Sequence, residues 1–149
     1  MKRVIDYSEL PSSAGTALPS SSWHVIDQEH INRFAEATGD NQWIHVDVER
    51  AAREMGGTIA HGFLTLSMLS ALSAETLDFT GVSRRINYGL DRLRFTGVVK
   101  AGGRVRLVHR LTKVEGKSGG LALTRDCCVE IENEPRPALI CEWIVLVFP

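Results

Sequence analysis

The sequence predicts an α+β fold in which a curved antiparallel sheet wraps around one long central helix. Three observations predict it. From Phe63 to about Leu77, apolar and small residues such as Leu64, Leu66, Met68, Leu69 and Leu72 run around the whole helical circumference instead of forming one stripe. A helix of that kind must be enclosed on most sides. The stretch falls short of the ~18 apolar residues of a membrane span, so the enclosure has to be protein. Period-two alternation then appears in Ile86-Tyr88-Leu90, Leu93-Phe95, Val105-Leu107-His109-Leu111, Leu121-Leu123-Arg125-Cys127-Val129-Ile131 and Leu139-Cys141-Trp143-Val145-Val147. Such alternation marks strands, and the turn-rich breaks at 100–103, 115–120 and 132–137 are short enough to favour antiparallel neighbours. Lastly, helical patterns come early and strands late, the order of an α+β arrangement.

Taken in chain order, Met1 to Tyr7 has no apolar core of signal-peptide length, which predicts a cytoplasmic protein. Pro11 to Ser22, rich in Ser, Pro, Gly and Ala, reads as the end of an irregular lead-in over residues 1–22, ahead of a single domain over 23–149. Asp27 is a good N-cap, Ile31, Phe34, Ala35 and Thr38 recur at helical spacing, and Gly39 stands where a left-handed C-terminal residue is wanted. Asp47 caps a second short helix through Glu49 to Met55, stopped by Gly56-Gly57. Asp40 and His45 therefore share the short connection between two helices, a common place for catalytic groups.

With 149 residues and a net charge of −1, the chain is one ordinary domain with no call for a polyanionic partner. Arg92, Arg94, Arg104, Arg106 and Arg110 cluster in sequence, but they read as the solvent face of two strands and not as a nucleic-acid surface. Cys127, Cys128 and Cys141 lack metal-type spacing and lie in strand-like sequence, so they read as reduced core thiols. A metal site from Asp40, His45 and Asp47 has too few spaced ligands, and no metal is expected.

A carboxylate and an imidazole five positions apart can hold one water between them, and both can accept its hydrogens. The pattern Asp40-x4-His45-x-Asp47, followed by Thr58-Ile59-Ala60-His61-Gly62-Phe63-Leu64-Thr65 and a small-residue apolar helix, resembles the MaoC-like (R)-specific enoyl-CoA hydratases. With Asn87-Tyr88-Gly89-Leu90-Asp91-Arg92, the wording is similar to the nodulation-protein-N-like subgroup, from about Trp23 to the C-terminus. The resemblance implies the hot-dog fold and (R)-specific hydration of trans-2-enoyl-CoA to (R)-3-hydroxyacyl-CoA, or the reverse dehydration, in fatty acid metabolism. It makes Asp40 and His45 the catalytic pair and gives the oxyanion hole to the Gly62 N–H. It offers Ser70 as a hydroxyl that orients water or carboxylate, against the alternative of a small packing residue. Asn87 and Tyr88 either line the acyl pocket or lie at a strand edge or dimer contact. His61 reads as a structural hydrogen-bonder and Asp47 as a helix cap.

No cofactor is implied, since coenzyme A enters as part of the substrate. An exposed strand edge around Ile86 to Arg92 predicts a homodimer. No membrane partner is expected. Other functions consistent with the pattern are a hot-dog acyl-CoA thioesterase and a non-catalytic acyl-CoA-binding module, because fold alone does not fix function.

Overall fold

Local capping chemistry sets the first half of the chain, and the computed structural model describes all of it, residues 1–149. Helix α1, Gln28–Thr38, starts where the Asp27 carboxylate accepts the His30 N–H at 2.8 Å and stops at Gly39, whose φ of 79° is the left-handed region. A one-turn helix α2, Trp43–Val46, was not anticipated and carries His45. Helix α3, Val48–Met55, is capped by Asp47 accepting from the Arg50 N–H at 3.0 Å and is ended by Gly56, again at φ 79°.

The central helix runs as two segments, α4 (Gly62–Ser67) and α5 (Leu69–Thr76), joined through Met68 by continuing helical bonds: Met68 N–H to Leu64 O and Leu72 N–H to Met68 O. Its enclosure differs from the expectation. Leu64, Thr65, Leu69, Leu72, Ser73 and Thr76 are buried, whereas Phe63 is 65 % exposed and Ser67, Ser70, Ala71 and Ala74 also face outward. The sheet of one chain covers one side of the helix only, so the all-round apolar pattern leaves a bare flank.

Strands β1 (Arg3–Asp6) and β3 (Leu77–Thr80) form a small parallel pair. Strands β2 (His24–Ile26), β4 (Arg84–Phe95), β5 (Gly103–Lys117), β6 (Gly120–Ile131) and β7 (Leu139–Phe148) make an antiparallel sheet in the order β2-β5-β6-β7-β4. The β5–β6 hairpin turns on Ser118 (φ 52°) and Gly119 (φ 79°), positive at both positions as a two-residue turn of this twist requires. Along β5, Val105, Leu107, His109 and Leu111 face the helix. Arg104 and Arg106 lie on the opposite face and meet Glu132 and Glu130 across the ladder at 2.6 and 2.7 Å. Arg92 is likewise paired with Glu142, while Arg94 and Arg110 donate to the Leu93 and Gly15 carbonyls, so the cluster is a surface whose charges are met within the chain.

The expected irregular lead-in contains ordered elements. β1 is followed by a 3-10 helix over Tyr7–Ser12, capped by Asp6, and Ile5, Leu10 and Leu18 are buried in the core. Four-residue strands paired only over long range leave little periodic signal, which is why β1 and β3 escape sequence reading. The cysteines are free thiols. Cys127 and Cys141 sit opposite one another in the ladder, and hydrogen bonding to Cys141 together with burial pushes the Cys127 thiol up.

His109 is a buried titratable group of the inner sheet face, with its Nε2 2.8 Å from the Thr76 hydroxyl. Burial first, and the Arg125 charge second, lower its pKa to about 3. The folded state therefore keeps this imidazole neutral while the unfolded chain takes up a proton below about pH 6.5. Its contribution to stability is full above that pH and drains as pH falls toward 3. Urea unfolding between about pH 7 and 5, above the carboxylate range, should show stability falling by up to about 1.4 kcal/mol per pH unit from this group. His109→Gln should flatten that slope; an unchanged slope would refute the assignment.

Candidate active site

The left-handed turn at Gly39 directs the chain from α1 into a short loop bearing Asp40, whose side chain is exposed and accepts the Gln42 N–H at 3.5 Å. Three residues later α2 carries His45 inward, leaving it 7 % exposed. Its ring is fixed by a 2.7 Å contact from Nδ1 to the Ile59 carbonyl. A carbonyl only accepts, so Nδ1 carries the proton and Nε2 presents a lone pair. The α2 backbone is held in turn by Gln28, whose Nε2 donates to the His45 carbonyl at 2.8 Å and whose Oε1 accepts from the Thr58 hydroxyl.

His61, the last residue before α4, has the structural hydrogen-bonding role that the sequence suggests. Its Nε2–H donates to the backbone carbonyl of Asp40 at 2.9 Å. The same ring stacks on His45, with centroids 3.8 Å apart and planes 22° apart, and meets Phe34 at 5.0 Å. The His61 Nδ1 is buried without a partner. Polar side-chain atoms of Asp40, His45 and His61 consequently lie within 4.8 Å of one another. Nearly parallel stacked rings cannot both aim in-plane lone pairs at one tetrahedral ion, so this cluster suits a shared water better than zinc.

Gly62 opens α4 with no side chain capping the helix, and the first N–H groups of a helix have no partner within it. A Cβ here would stand 3.0 Å from the Phe95 ring, so glycine is what allows β4 to close against the helix start. His45, Gly62, Thr65 and Phe95 share the wall of a cleft of about 660 Å³, which Lys100 and Arg136 also line. These two basic groups lie in turn sequence, where pattern reading gave them no role.

The structure brings Asp40, His45 and Gly62 together, but it places Ser70, Asn87 and Tyr88 elsewhere. They line a second cleft of about 320 Å³ with Leu66, Leu69 and Trp143. Ser70 lies eight residues beyond Gly62, about 12 Å along a helix at 1.5 Å per residue, and within the chain it makes no bond to Asp40. Asn87 Oδ1 accepts the Trp143 indole N–H at 3.2 Å, and Tyr88 is 53 % exposed on the edge strand.

With this fold and site in place, comparison with known proteins defines the class. The chain matches the family described as "MaoC like domain" over residues 9–124, beginning ahead of the expected start at Trp23. It belongs to that family. Nodulation protein N of Rhizobium leguminosarum bv. viciae is 45 % identical over 152 residues, covering 96 % of this chain and 91 % of that protein. The 3-hydroxyacyl-thioester dehydratase Z of Mycobacterium tuberculosis is 44 % identical over 147 residues, covering 97 % of each. The fold is that of the unliganded R-hydratase PhaJ1 from Pseudomonas aeruginosa, at TM-score 0.75, 24 % identity and coverage of 95 % of this chain and 84 % of that one.

The His61 bond to Asp40 can be tested apart from any activity. His61→Phe keeps an aromatic ring against His45 and Phe34 but deletes the donor. Losing about 1 kcal/mol of hydrogen bonding should speed amide exchange in residues 39–42 by roughly 3- to 10-fold, with the helical circular dichroism unchanged. Unaltered exchange would show that the loop is held by other contacts.

Proposed function

We propose that this protein catalyses the reversible (R)-specific hydration of trans-2-enoyl thioesters to (R)-3-hydroxyacyl thioesters. The observation that carries the reading is the contact of His45 Nδ1 with the Ile59 carbonyl, which leaves Nε2 free to accept, in a ring with a nitrogen within 4.8 Å of an Asp40 carboxylate oxygen. The full-length similarity to a protein named as a 3-hydroxyacyl-thioester dehydratase supports it. One water can donate a hydrogen to each member of the pair. As its oxygen bonds to Cβ of the enoyl group, the proton left on the pair returns to Cα on the same face, so the elements of water add in full. The thioester oxygen gains negative charge and takes the Gly62 N–H, whose position at a helix start favours an anion. Lys100 and Arg136 on the same cleft suit the phosphates of a coenzyme A carrier.

Proton transfer by a positioned side chain contributes on the order of 10² to 10⁴ in rate. Asp40→Asn and His45→Gln should therefore each lower kcat on crotonyl-CoA by about 100-fold or more with the fold intact, and the double variant should be little worse than either. Near-normal turnover by Asp40→Asn would sink the assignment. Release of free thiol from acyl-CoA without loss of enoyl absorbance would point to a thioesterase instead. Chiral analysis of the hydration product should give the (R)-alcohol, and an (S)-product would overturn the stereochemical reading.

The same reading includes a homodimer. β4 is a sheet edge with Ile86, Tyr88 and Leu90 exposed, and such an edge invites pairing with another chain. Light scattering at micromolar concentration should give twice the chain mass. A monomer hydrating crotonyl-CoA at full rate would contradict a site shared between chains.

A further inference from the structure

The inner face of β6 holds a buried cation with no counter-ion. Arg125 alternates with Leu123 and Cys127 toward the central helix and is 5 % exposed. A guanidinium has five N–H donors. Here Nη1 donates to the Ser73 hydroxyl at 2.5 Å, Nε is buried without a partner, and the group makes no ion pair with any Asp or Glu. The Trp143 ring lies 4.1 Å from the guanidinium carbon, which supplies attraction to its face but accepts none of its in-plane hydrogens. Burial lowers the Arg125 pKa only to about 10, so the group stays charged at neutral pH. Burying such a charge unpaired is expensive, and an acceptor reaching it would relieve that cost.

Arg125 lines a cavity of about 280 Å³ whose other polar groups are Ser70, Arg85 and Asn87, with no carboxylate among its walls. The Asn87 carbonyl oxygen is already occupied by the Trp143 N–H, which leaves its amide NH₂ as a donor. Arg85 stands at the half-exposed mouth, 3.8 Å from Asp78, and Asp78 is shared with Lys2 at 2.9 Å. The cavity therefore offers donors and positive charge against an apolar wall of Phe79, Leu123 and Val145. Ser70, Asn87 and Trp143 also line the neighbouring cleft, so the two spaces adjoin.

We propose that this cavity receives the far end of the acyl group and that its preferred substrates are ω-carboxyacyl thioesters, the carboxylate pairing with Arg125. The inference rests on the hydratase reading and narrows its substrate class. An apolar chain with a terminal methyl would leave the guanidinium unanswered, whereas a terminal carboxylate supplies planar, bidentate acceptors.

The test compares kcat/KM for trans-2-octenedioyl-CoA, the mono-thioester, with that for trans-2-octenoyl-CoA, using the full chain. The wild type should favour the carboxylated thioester by about 10-fold or more, and Arg125→Met should lower that ratio by about 100-fold, as losing one partner of a buried charge pair does. Preference of the wild type for octenoyl-CoA, or a ratio unmoved in Arg125→Met, would overturn the proposal. Should Arg125→Met fail to fold, Arg85→Gln at the exposed mouth should still raise KM for the carboxylated thioester by about 3- to 10-fold, as loss of a partly screened charge does; an unchanged KM counts against the site. Thermal shift with free suberate gives an independent arm. A rise in Tm for the wild type but not for Arg125→Met supports the anion site even where neither thioester is hydrated, a result that would sink the hydratase reading alone. No rise in the wild type counts against the anion site.

Discussion

The hydrogen bond from His61 Nε2 to the Asp40 carbonyl is the constraint on which the site depends. It joins two stretches that are 21 residues apart, the loop after α1 and the start of the central helix. Without it Asp40 would sit on an exposed loop with only weak contacts to its own neighbours. The His61 ring also supplies the flat surface against which His45 stacks. His45 is then fixed from two directions, by stacking and by the Ile59 carbonyl, so its free nitrogen has one orientation. One histidine thus positions the other two polar groups, and a single buried ring converts a sequence spacing into a geometry.

The half-covered central helix is the second constraint. The antiparallel sheet covers the side bearing Leu64, Leu69 and Leu72, while the side bearing Phe63 and Ser70 faces out next to an exposed β4. β4 is bulged twice, between Asn87 and Gly89 and between Asp91 and Arg94, so its edge is irregular as well as unpaired. Its far end returns to the helix start, where Phe95 fills the space that a side chain at position 62 would need. The residues of the two clefts are therefore spread along one helix flank. Spacing alone could not show that Ser70 would line a different cleft from His45 and Gly62.

What the sequence disclosed was local. The cap pairs Asp27 with Gly39 and Asp47 with Gly56 can be read because each acts within a few residues of its helix. The alternation in β5, β6 and β7 can be read because one face is buried along most of β6 and β7 and from Val105 to Leu111 of β5. The parallel β1–β3 pairing could not, since it depends on residues 74 positions apart and on strands of four residues. Within the site, spacing and resemblance placed Asp40, His45 and Gly62 side by side. The tautomer of His45 and the tie from His61 needed the Ile59 and Asp40 carbonyls, and backbone acceptors have no sequence signature.

The inner sheet face also shows two ways for a fold to keep a basic group away from water. Ser73 and Thr76, one helical turn apart on α5, each meet one base rising from a strand: Ser73 meets Arg125 on β6, and Thr76 meets His109 on β5. Both bases retain a buried ring or chain nitrogen without a partner. His109 meets this by giving up its charge, since burial brings an imidazole down to about 3. A guanidinium has no such route, because even a pKa of about 10 leaves it protonated at neutrality. The neutral histidine has the Thr76 hydroxyl as its partner, whereas Arg125 keeps its charge beside a cavity with no carboxylate in its walls. Where a buried charge cannot be removed by titration it still needs acceptors, and the cavity beside Arg125 is the place where water or an entering anion can supply them.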